Sequence, residues 1–312
     1  MFNMNLHLAE PFKVTFCMLI VMALSGCNYS ETVGPDGSPL GTDYRVPGSK
    51  SSPYAVKVYE FCPAPGQFVN EGYDAATMQE ACDYALNCFA KFSALSLGAF
   101  GGYVVVGFDH SILRTGGYDF GVLSNAYEGN SEPGVVWVMK DDNGDGLPND
   151  TWYELEGSES DAAGTVKDYE VTYYRPAGDN EPVRWTDNLG GSGEVPYMKA
   201  FHRQPSYYPA WIPGQEFTLK GTLLECRSYD KAGDGSMWFN PDYGSGYADN
   251  HNNTDFDIID LEGKRVPVNY FKICSNLDYI DFIKVQGGLN AALGRIGELS
   301  TEVCGFVDLS LL

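Results

Sequence analysis

The stretch GVVWVMKDDNGDGLPNDTWYEL, residues 134–155, shows how this chain builds its fold. Its two ends, residues 134–140 and 151–155, are rich in β-branched and aromatic residues, whereas aspartate, asparagine, glycine and proline fill the middle. Short apolar runs bounded by turn-forming residues are typical of β-strands. The stretch therefore predicts two strands joined by an acidic loop.

The first half of this loop has the residue spacing of a calcium-binding loop. Carboxylate or amide residues stand at positions one, three and five, and glycine at position six permits a sharp turn. A backbone carbonyl and a later acid would complete the oxygen ligands. The predicted Ca2+ ligands are Asp141, Asn143, Asp145, Leu147, Asp150 and Glu154. The alternative is a plain turn, because such residues form Asx turns without an ion.

The loop departs from the EF-hand pattern at two positions. Trp152 stands where an EF-hand has its bidentate glutamate, and Pro148 removes a backbone N–H. The flanks are predicted strands rather than helices. We therefore expect a bound Ca2+ ion to hold a strand-to-strand loop in shape and to take no part in catalysis.

The same strand signature recurs along most of the chain. Predicted strands begin with AVKVYEF at Ala55 and continue at residues 101–108, 119–124, 134–140, 151–155, 168–174, 216–225, 255–261 and 278–286. One helix is predicted over residues 74–92, where apolar residues recur at spacings of three and four and Asp74 would cap the start. Many short strands without alternating helices predict an all-β fold. We expect a two-sheet antiparallel β-sandwich, jelly-roll-like, with one short N-terminal helix.

The N-terminal residues predict an export signal and a lipid anchor. A short apolar run follows Lys13 and leads into Leu-Ser-Gly-Cys, which resembles a bacterial lipobox ending at the lipidation residue Cys27. The alternative is an ordinary cleaved signal with an incidental cysteine. The lipobox predicts a lipid-anchored protein. We expect it in the outer membrane, exposed at the cell surface. The predicted segments are a signal peptide at 1–26, a lipidated tether at 27–54 and a single β-sandwich domain at 55–312.

The charge of the chain excludes two classes of partner. There are 20 Lys and Arg residues against 42 Asp and Glu residues, which gives a net charge of −22 at pH 7. Such a surface repels nucleic acid and anionic lipid. We therefore expect no nucleic-acid partner, and membrane attachment only through the lipid anchor.

Six cysteines remain outside the predicted signal peptide and lipidation site, and in an oxidising envelope they would allow three disulfides. No two of them form a CxxC pair, which argues against a zinc site. We predict one disulfide within the first three of these cysteines and one between two of the last three. They are Cys62, Cys82 and Cys88, followed by Cys226, Cys274 and Cys304.

A long polar region, residues 233–257, carries aromatic residues among aspartate, asparagine and glycine. Exposed aromatic rings beside amides and carboxylates suit a ligand with apolar faces and hydroxyl groups, such as a sugar. The alternative is a loop whose aromatic side chains are tucked beneath it. The predicted ligand-binding residues are Trp238, Tyr243, Tyr247, Asp249 and Asn250. A second, looser cation site would combine Asp249, Asn253, Asp255 and Asp257.

Other candidate functional residues give weaker signals. Tyr207, Tyr208 and Trp211 form an aromatic cluster, for which packing in the core is a better interpretation than a ligand platform. His110, His202 and His251 have no partner at ligand or triad spacing, so we expect each at the surface. The sequence has no GxSxG, HExxH or Walker motif. A glycosidase with two distant carboxylates remains an alternative, because its acids lie at no set spacing.

Three stretches resemble a family of secreted or lipid-anchored bacterial cell-surface proteins, seen chiefly in anaerobic gut bacteria. They are SLGAFGGYVVVGFDHSI (96–112), GYDFGVLSNAYEGNSEPGVVWVMKDDNGDGLPNDTWYELEGSE (117–159) and IDFIKVQGGLNAALGRIGELSTEV (280–303). The resemblance implies a non-catalytic β-sandwich encoded near TonB-dependent uptake systems, some of them for cobalamin. It also implies that the acidic loop is part of the family pattern.

The expected function is therefore a surface-anchored, non-catalytic binding lipoprotein. It would capture a small nutrient, either a glycan or a cobalamin-like corrinoid, and pass it to a TonB-dependent transporter. The alternatives are a carbohydrate-active hydrolase on the same scaffold and a structural or adhesion protein.

Overall fold

The structure is a computed structural model that describes residues 33, 34, 37, 39–41, 43–252, 254–259 and 262–312. The predicted signal peptide, Cys27 and the start of the tether lie outside the described residues, as does Asn253. No helix in the described part of the chain is long and apolar enough to cross a membrane.

Strands dominate the regular structure. In chain order they are β1 (Lys57–Cys62), β2 (Leu95–Ser96), β3 (Tyr103–Leu113), β4 (Phe120–Ser124), β5 (Gly134–Met139), β6 (Tyr153–Glu154), β7 (Val166–Tyr174), β8 (Val183–Asp187), β9 (Ser192–Val195), β10 (Glu216–Leu223), β11 (Tyr229–Asp230), β12 (Trp238–Phe239), β13 (Tyr247–Ala248), β14 (Thr254–Ile259), β15 (Arg265–Phe271), β16 (Tyr279–Gly287) and β17 (Glu302–Asp308). The helices within the same ranges are α1 (Met78–Phe89) and a final 3-10 turn (Leu309–Leu311).

Two antiparallel sheets form a sandwich. One has the strand order β1-β3-β16-β5, and β5 pairs with both β13 and β6. The other has the order β14-β15-β4-β17-β2. Val106 and Ile283 from the first sheet are buried in one cluster with Phe120 and Phe306 from the second. The predicted all-β sandwich with one short helix is therefore confirmed.

A smaller sheet with the order β10-β7-β8-β9 lies beside the outer face of the first sheet. The Gln286 side chain on β16 donates a hydrogen bond to the Lys220 carbonyl on β10, at 3.0 Å. Gly221 allows this approach, because a Cβ atom there would lie 2.3 Å from the Gln286 Oε1 atom. The contact leaves an open cleft between β10 and the first sheet.

Helix α1 begins later than the sequence pattern predicts. Thr77 caps the helix rather than Asp74: its hydroxyl accepts from the Glu80 N–H at 3.2 Å, and the Glu80 carboxylate accepts from the Thr77 N–H at 3.0 Å. This reciprocal pair is a capping box, which satisfies two backbone donors at once. The predicted cap at Asp74 is therefore wrong, since the stronger motif lies three residues later.

The nine predicted strands are all present, within a few residues of their predicted ends. The eight strands of the described residues that were not predicted are β2, β8, β9, β11, β12, β13, β15 and β17. Strand β15 contains Pro267 and Asn269, and β17 contains Gly305, which all weaken a local strand signal. Strand β17 forms nevertheless, because β4 and β2 pair with it on both sides.

All six described cysteines are free thiols, so the two predicted disulfides are not formed in this structure. Cys82 and Cys88 lie six residues apart on α1, which places them about 120° apart around the helix axis. Cys62, Cys82, Cys88 and Cys304 are buried among apolar side chains. Four cysteines therefore act as small core residues.

The end of the predicted tether packs on the domain. The register between β3 and β16 shifts between Ile280 and Phe282, and the buried Asp281 lies at this irregularity. Its carboxylate accepts from the Arg45 guanidinium at 3.0 Å and from the Ser111 hydroxyl at 2.5 Å. Residues near Arg45 therefore belong to the folded surface rather than to a free linker.

The three histidines and the 201–214 aromatic cluster occupy different environments. The expectation of a surface position is wrong for His110, which is fully buried between Asp109 and Asp308 at 2.7 and 2.8 Å. The two other histidines are half-buried and each contacts one acidic side chain. The expected core packing of the aromatic cluster is confirmed, because its three aromatic side chains are buried: Tyr207, Tyr208 and Trp211.

Candidate functional site

The cleft between β10 and the first sheet is a concave feature in which charged and aromatic groups converge. It consists of two adjacent hollows of about 580 and 340 Å3, which share Lys220 and Lys284 in their linings. Trp137 lines the larger hollow, and Tyr103 and Trp152 line the smaller one. We call this feature the lysine cleft.

Strand register builds the floor of the lysine cleft. Five side chains from five neighbouring strands are paired in one row across the sheet, so they project from the same face. In order, the row is Glu60, Val105, Lys284, Trp137 and Glu154. The row places a carboxylate at each end and an ammonium group at the centre.

Lys284 is enclosed by aromatic rings. Its ammonium nitrogen lies 4.5 Å from the Trp137 ring, 5.1 Å from the Trp152 ring and 5.9 Å from the Tyr103 ring. No described carboxylate lies within ion-pair distance of it. Burial lowers the Lys284 pKa to about 8, and the charges of Glu60 and Glu154 oppose that shift. The group is therefore mostly charged at neutral pH and has donors to offer a ligand.

Hydrogen bonds hold the two carboxylates of the row in place. The Tyr103 hydroxyl donates to Glu60 at 2.8 Å. The Thr222 hydroxyl and the Lys167 ammonium donate to Glu154 at 2.7 and 2.5 Å. Both carboxylates are therefore oriented before a ligand arrives, which lowers the entropic cost of binding.

The acidic loop, residues 141–150, satisfies its carboxylates from within. Asp141 accepts from the N–H groups of Gly144, Asp145 and Gly146 at 2.8 to 3.2 Å. Asp145 accepts from the Leu147 N–H at 2.8 Å and from an Asn149 amide. These bonds are the Asx turns of the plain-turn alternative.

Five of the six predicted Ca2+ ligands lie in the acidic loop, and the sixth lies in the lysine cleft. Asp150 stays within the acidic loop, where it accepts from the Asp142 N–H at 3.1 Å. Glu154 lies on β6 and belongs to the lysine cleft instead. The Leu147 side chain is exposed, and Asn143 accepts from the Asp145 N–H at 2.8 Å. Calcium binding by the five loop residues stays a prediction.

The 233–257 region turns its predicted binding residues inward. Tyr243 and Tyr247 are 2% and 3% exposed, so the expectation of exposed aromatic rings is wrong for both. The Tyr243 hydroxyl donates to a backbone carbonyl, and the buried Asn250 side chain accepts from the Tyr243 N–H at 2.8 Å. Trp238 is half-buried against a neighbouring apolar cluster. Packing therefore uses the aromatic surface that we expected to contact a ligand.

Asp249 joins residues that lie far away in sequence. Glu132, Asp249 and Glu302 place one carboxylate oxygen each within 4.8 Å of the others, and all three groups are buried. We call these three residues the buried carboxylate cluster. Burial raises the pKa of each, and the negative charge of Glu302 raises those of Glu132 and Asp249 further. It is the one group of at least three potential His, Cys, Asp or Glu metal ligands among the described residues.

The looser cation site predicted around Asp249 takes this different form. Its partner Asn253 lies outside the described residues, and for Asp255 and Asp257 the structure describes the backbone of β14 alone. The two carboxylates beside Asp249 belong to Glu132, two residues before β5, and to Glu302, the first residue of β17. Sequence spacing gives no sign of such contacts.

No protein-family model matches this chain, and no curated protein matches it in sequence.

Sequence reasoning missed Lys284, Trp137 and Glu60 as cleft residues. One local signal was present, because Lys284 interrupts the apolar run DYIDFIKVQG, residues 278–287, on a central strand. A lysine at such a position either reaches solvent or faces a polar cavity. Which side chains would surround it depends on strand order, and neighbouring sequence does not specify that order.

Proposed function

We propose that this chain is a surface-anchored, non-catalytic lipoprotein that captures a small nutrient for outer-membrane uptake, and that the lysine cleft binds the nutrient. The anchor is proposed from the lipobox at Cys27. A TonB-dependent transporter is the proposed receiving partner, on the strength of the family resemblance. Calcium is proposed as a structural ion of the acidic loop.

The observation that carries the proposal is the row across the cleft floor. Aromatic faces at Trp137 and Trp152 suit the apolar faces of a sugar ring, while Lys284 and the oriented carboxylates suit its hydroxyl groups. The cleft volumes fall in the range of small-ligand sites. A glycan is therefore the first ligand class to test, and a corrinoid the second.

Tryptophan substitutions test where the ligand binds. We expect Trp152→Ala to weaken binding of a captured glycan at least tenfold, because a stacked ring is lost from the cleft. The matched control is Trp238→Ala, which changes the same residue type in the 233–257 region and should leave affinity unchanged. Titration calorimetry against a panel of glycans and cobalamin measures both variants.

A lysine pair tests the ammonium group separately. Lys284→Met keeps the length and apolar contact of the side chain but removes its donors, so we expect weaker binding. Lys264→Met, at an exposed lysine outside the cleft, is the control. The cleft assignment would be wrong if Trp238→Ala lost affinity and the two cleft variants did not. Recovery of protein partners alone would support an adhesion role.

A hydrolase is the second candidate, because oriented carboxylates line the lysine cleft. Glu60 and Glu154 cannot form the catalytic pair with each other, because they stand at opposite ends of a row of five strands, roughly 19 Å apart, whereas paired glycosidase carboxylates lie within about 10 Å. Either one would need another acid as its partner. Release of sugar products from the same glycan panel would favour this function. Abolition of release in Glu60→Gln or Glu154→Gln, with glycan binding retained, would establish it over simple capture.

A further inference from the structure

The buried carboxylate cluster is assembled by backbone contacts from three separate segments. Strand β13 pairs with β5 through Ala248 and Gly134, which brings Asp249 beside Glu132. The Glu132 N–H donates to the Asp249 carbonyl at 2.9 Å, and the Glu302 N–H donates to the Asp249 carboxylate at 2.8 Å. The three side chains are therefore held together by the fold rather than by flexible surface chains.

The cluster has no cationic side chain to balance it. None of the described lysine, arginine or histidine residues forms an ion pair with Glu132, Asp249 or Glu302. Carboxylates this close repel one another strongly when water is excluded. The fold therefore needs either bound protons or a bound cation at this position.

The Asp249 carboxylate decides between these two possibilities. Asp249 is 1% exposed, and its second oxygen, Oδ1, is buried and accepts no well-formed hydrogen bond from the described residues, with the Ser124 hydroxyl as a further neutral donor close to the carboxylate. A proton shared between Glu132 and Glu302 would relieve their repulsion but would bring no donor to this oxygen, which only a proton on Asp249 itself or a cation would occupy. A cation between the three groups would contact all of them at once.

We propose that Glu132, Asp249 and Glu302 bind a hard divalent cation such as Ca2+ or Mn2+. The donors are all carboxylate oxygens, and no histidine or cysteine belongs to the group, which favours hard ions over zinc or copper. The Ser300 hydroxyl, which donates to Glu302, adds a neutral oxygen nearby.

The ion would join the two sheets of the sandwich. Glu132 and Asp249 flank paired strands of the first sheet, β5 and β13, whereas Glu302 begins β17 of the second sheet. The site is separate from the lysine cleft, since none of its residues lines either hollow. Cation binding by the cluster is therefore independent of ligand capture in the lysine cleft.

Metal content and melting of the full chain test the proposal. We expect purified wild type to lose a bound ion on dialysis against a chelator and to regain several degrees of melting temperature with Ca2+ or Mn2+. Asp249→Asn keeps the side-chain volume and should bind at least tenfold more weakly. Asp145→Asn, in the acidic loop, is the matched control and should retain the cluster ion.

A crystal of the wild-type chain soaked in Mn2+ gives a result that does not depend on a variant folding. An anomalous peak between the three carboxylates supports the site. Absence of that peak at millimolar Mn2+ overturns the proposal, as does a melting response to Ca2+ that Asp145→Asn removes entirely. A higher melting temperature of Glu302→Gln than of wild type, both in chelator and in Ca2+, would show that protons rather than a cation neutralise the cluster. That result would also overturn the proposal.

Discussion

The acidic loop and the buried carboxylates satisfy their negative charges in opposite ways. In the acidic loop, Asp141 and Asp145 accept N–H groups from residues at most five positions away, so the loop forms its own contacts. Glu132 and Glu302 meet only because strands separated by about half the chain are neighbours. Carboxylates that look alike in sequence therefore differ in burial, in partners and in the sign of their pH dependence.

Glu298 shows the buried behaviour outside the cluster. It is 2% exposed, and its Oε1 atom accepts from the Gln67 N–H at 2.6 Å. Its Oε2 atom has no hydrogen-bond partner among the described residues. Burial raises its pKa from 4.5 to about 8, and the charge of Glu302 adds to the shift. By contrast, hydrogen bonds from Asn149 and the Leu147 N–H lower the pKa of the exposed Asp145.

The largest expected effect is therefore a pH dependence carried by Glu298. Between its unfolded pKa of 4.5 and its folded pKa of about 8, the folded protein binds a proton that the unfolded chain does not. The free energy of unfolding falls as pH rises through this window, by at most about 5 kcal/mol for this group. Glu298→Gln removes the part of the pH dependence that Glu298 contributes, and urea unfolding of both proteins from pH 5 to pH 9 measures that difference.

The two proteins should show similar free energies of unfolding near pH 5, where the folded glutamate is protonated, and diverge above that pH. Parallel curves across the range would show that Glu298 is not perturbed by burial. That result would weaken the contrast between the buried carboxylates and the acidic loop.

The next effect concerns the self-contained hydrogen bonds of the acidic loop. Asp141→Ala leaves the Gly144 and Gly146 N–H groups without their acceptor at a position that is 8% exposed, whereas the Asp145 N–H keeps Asn143. We therefore expect a loss of roughly 2–3 kcal/mol in the free energy of unfolding. Asp142→Ala changes the adjacent exposed residue, whose side chain forms an ion pair with Lys140, and should cost less than about 0.5 kcal/mol. Equal losses in urea unfolding would contradict the structural role of Asp141.

The smallest expected effect is calcium binding by the acidic loop. We expect Ca2+ added to chelator-treated protein to raise the melting temperature, and about 2–4 °C of that rise should disappear in Asp145→Asn. Asp249→Asn should remove a different part of the rise, from the buried carboxylate cluster. An unchanged calcium response of the melting temperature in Asp145→Asn would show that the acidic loop is a plain turn that binds no Ca2+.

Features whose partners lie nearby in sequence were predictable, whereas features that depend on distant partners were not. Sequence reasoning located the acidic loop and its flanking strands because their partners lie within a few residues, where spacing is informative. It misjudged Tyr243 and Tyr247, because composition cannot tell a ring that faces solvent from one that packs beneath a loop. His110 was misplaced for the same reason, since its acidic neighbour Asp308 lies at the other end of the domain.

The sequence by itself determined the all-β class, most strand positions, the turn chemistry of residues 141–150 and the surplus of acidic residues. These features depend on local propensity, on alternation along a strand and on composition. Only the tertiary structure decided that Lys284 lies between Glu60 and Glu154 in the lysine cleft, and that Glu132, Asp249 and Glu302 meet. The physical reason is strand order and register, because they bring distant residues together without leaving a pattern in the sequence around any one of them.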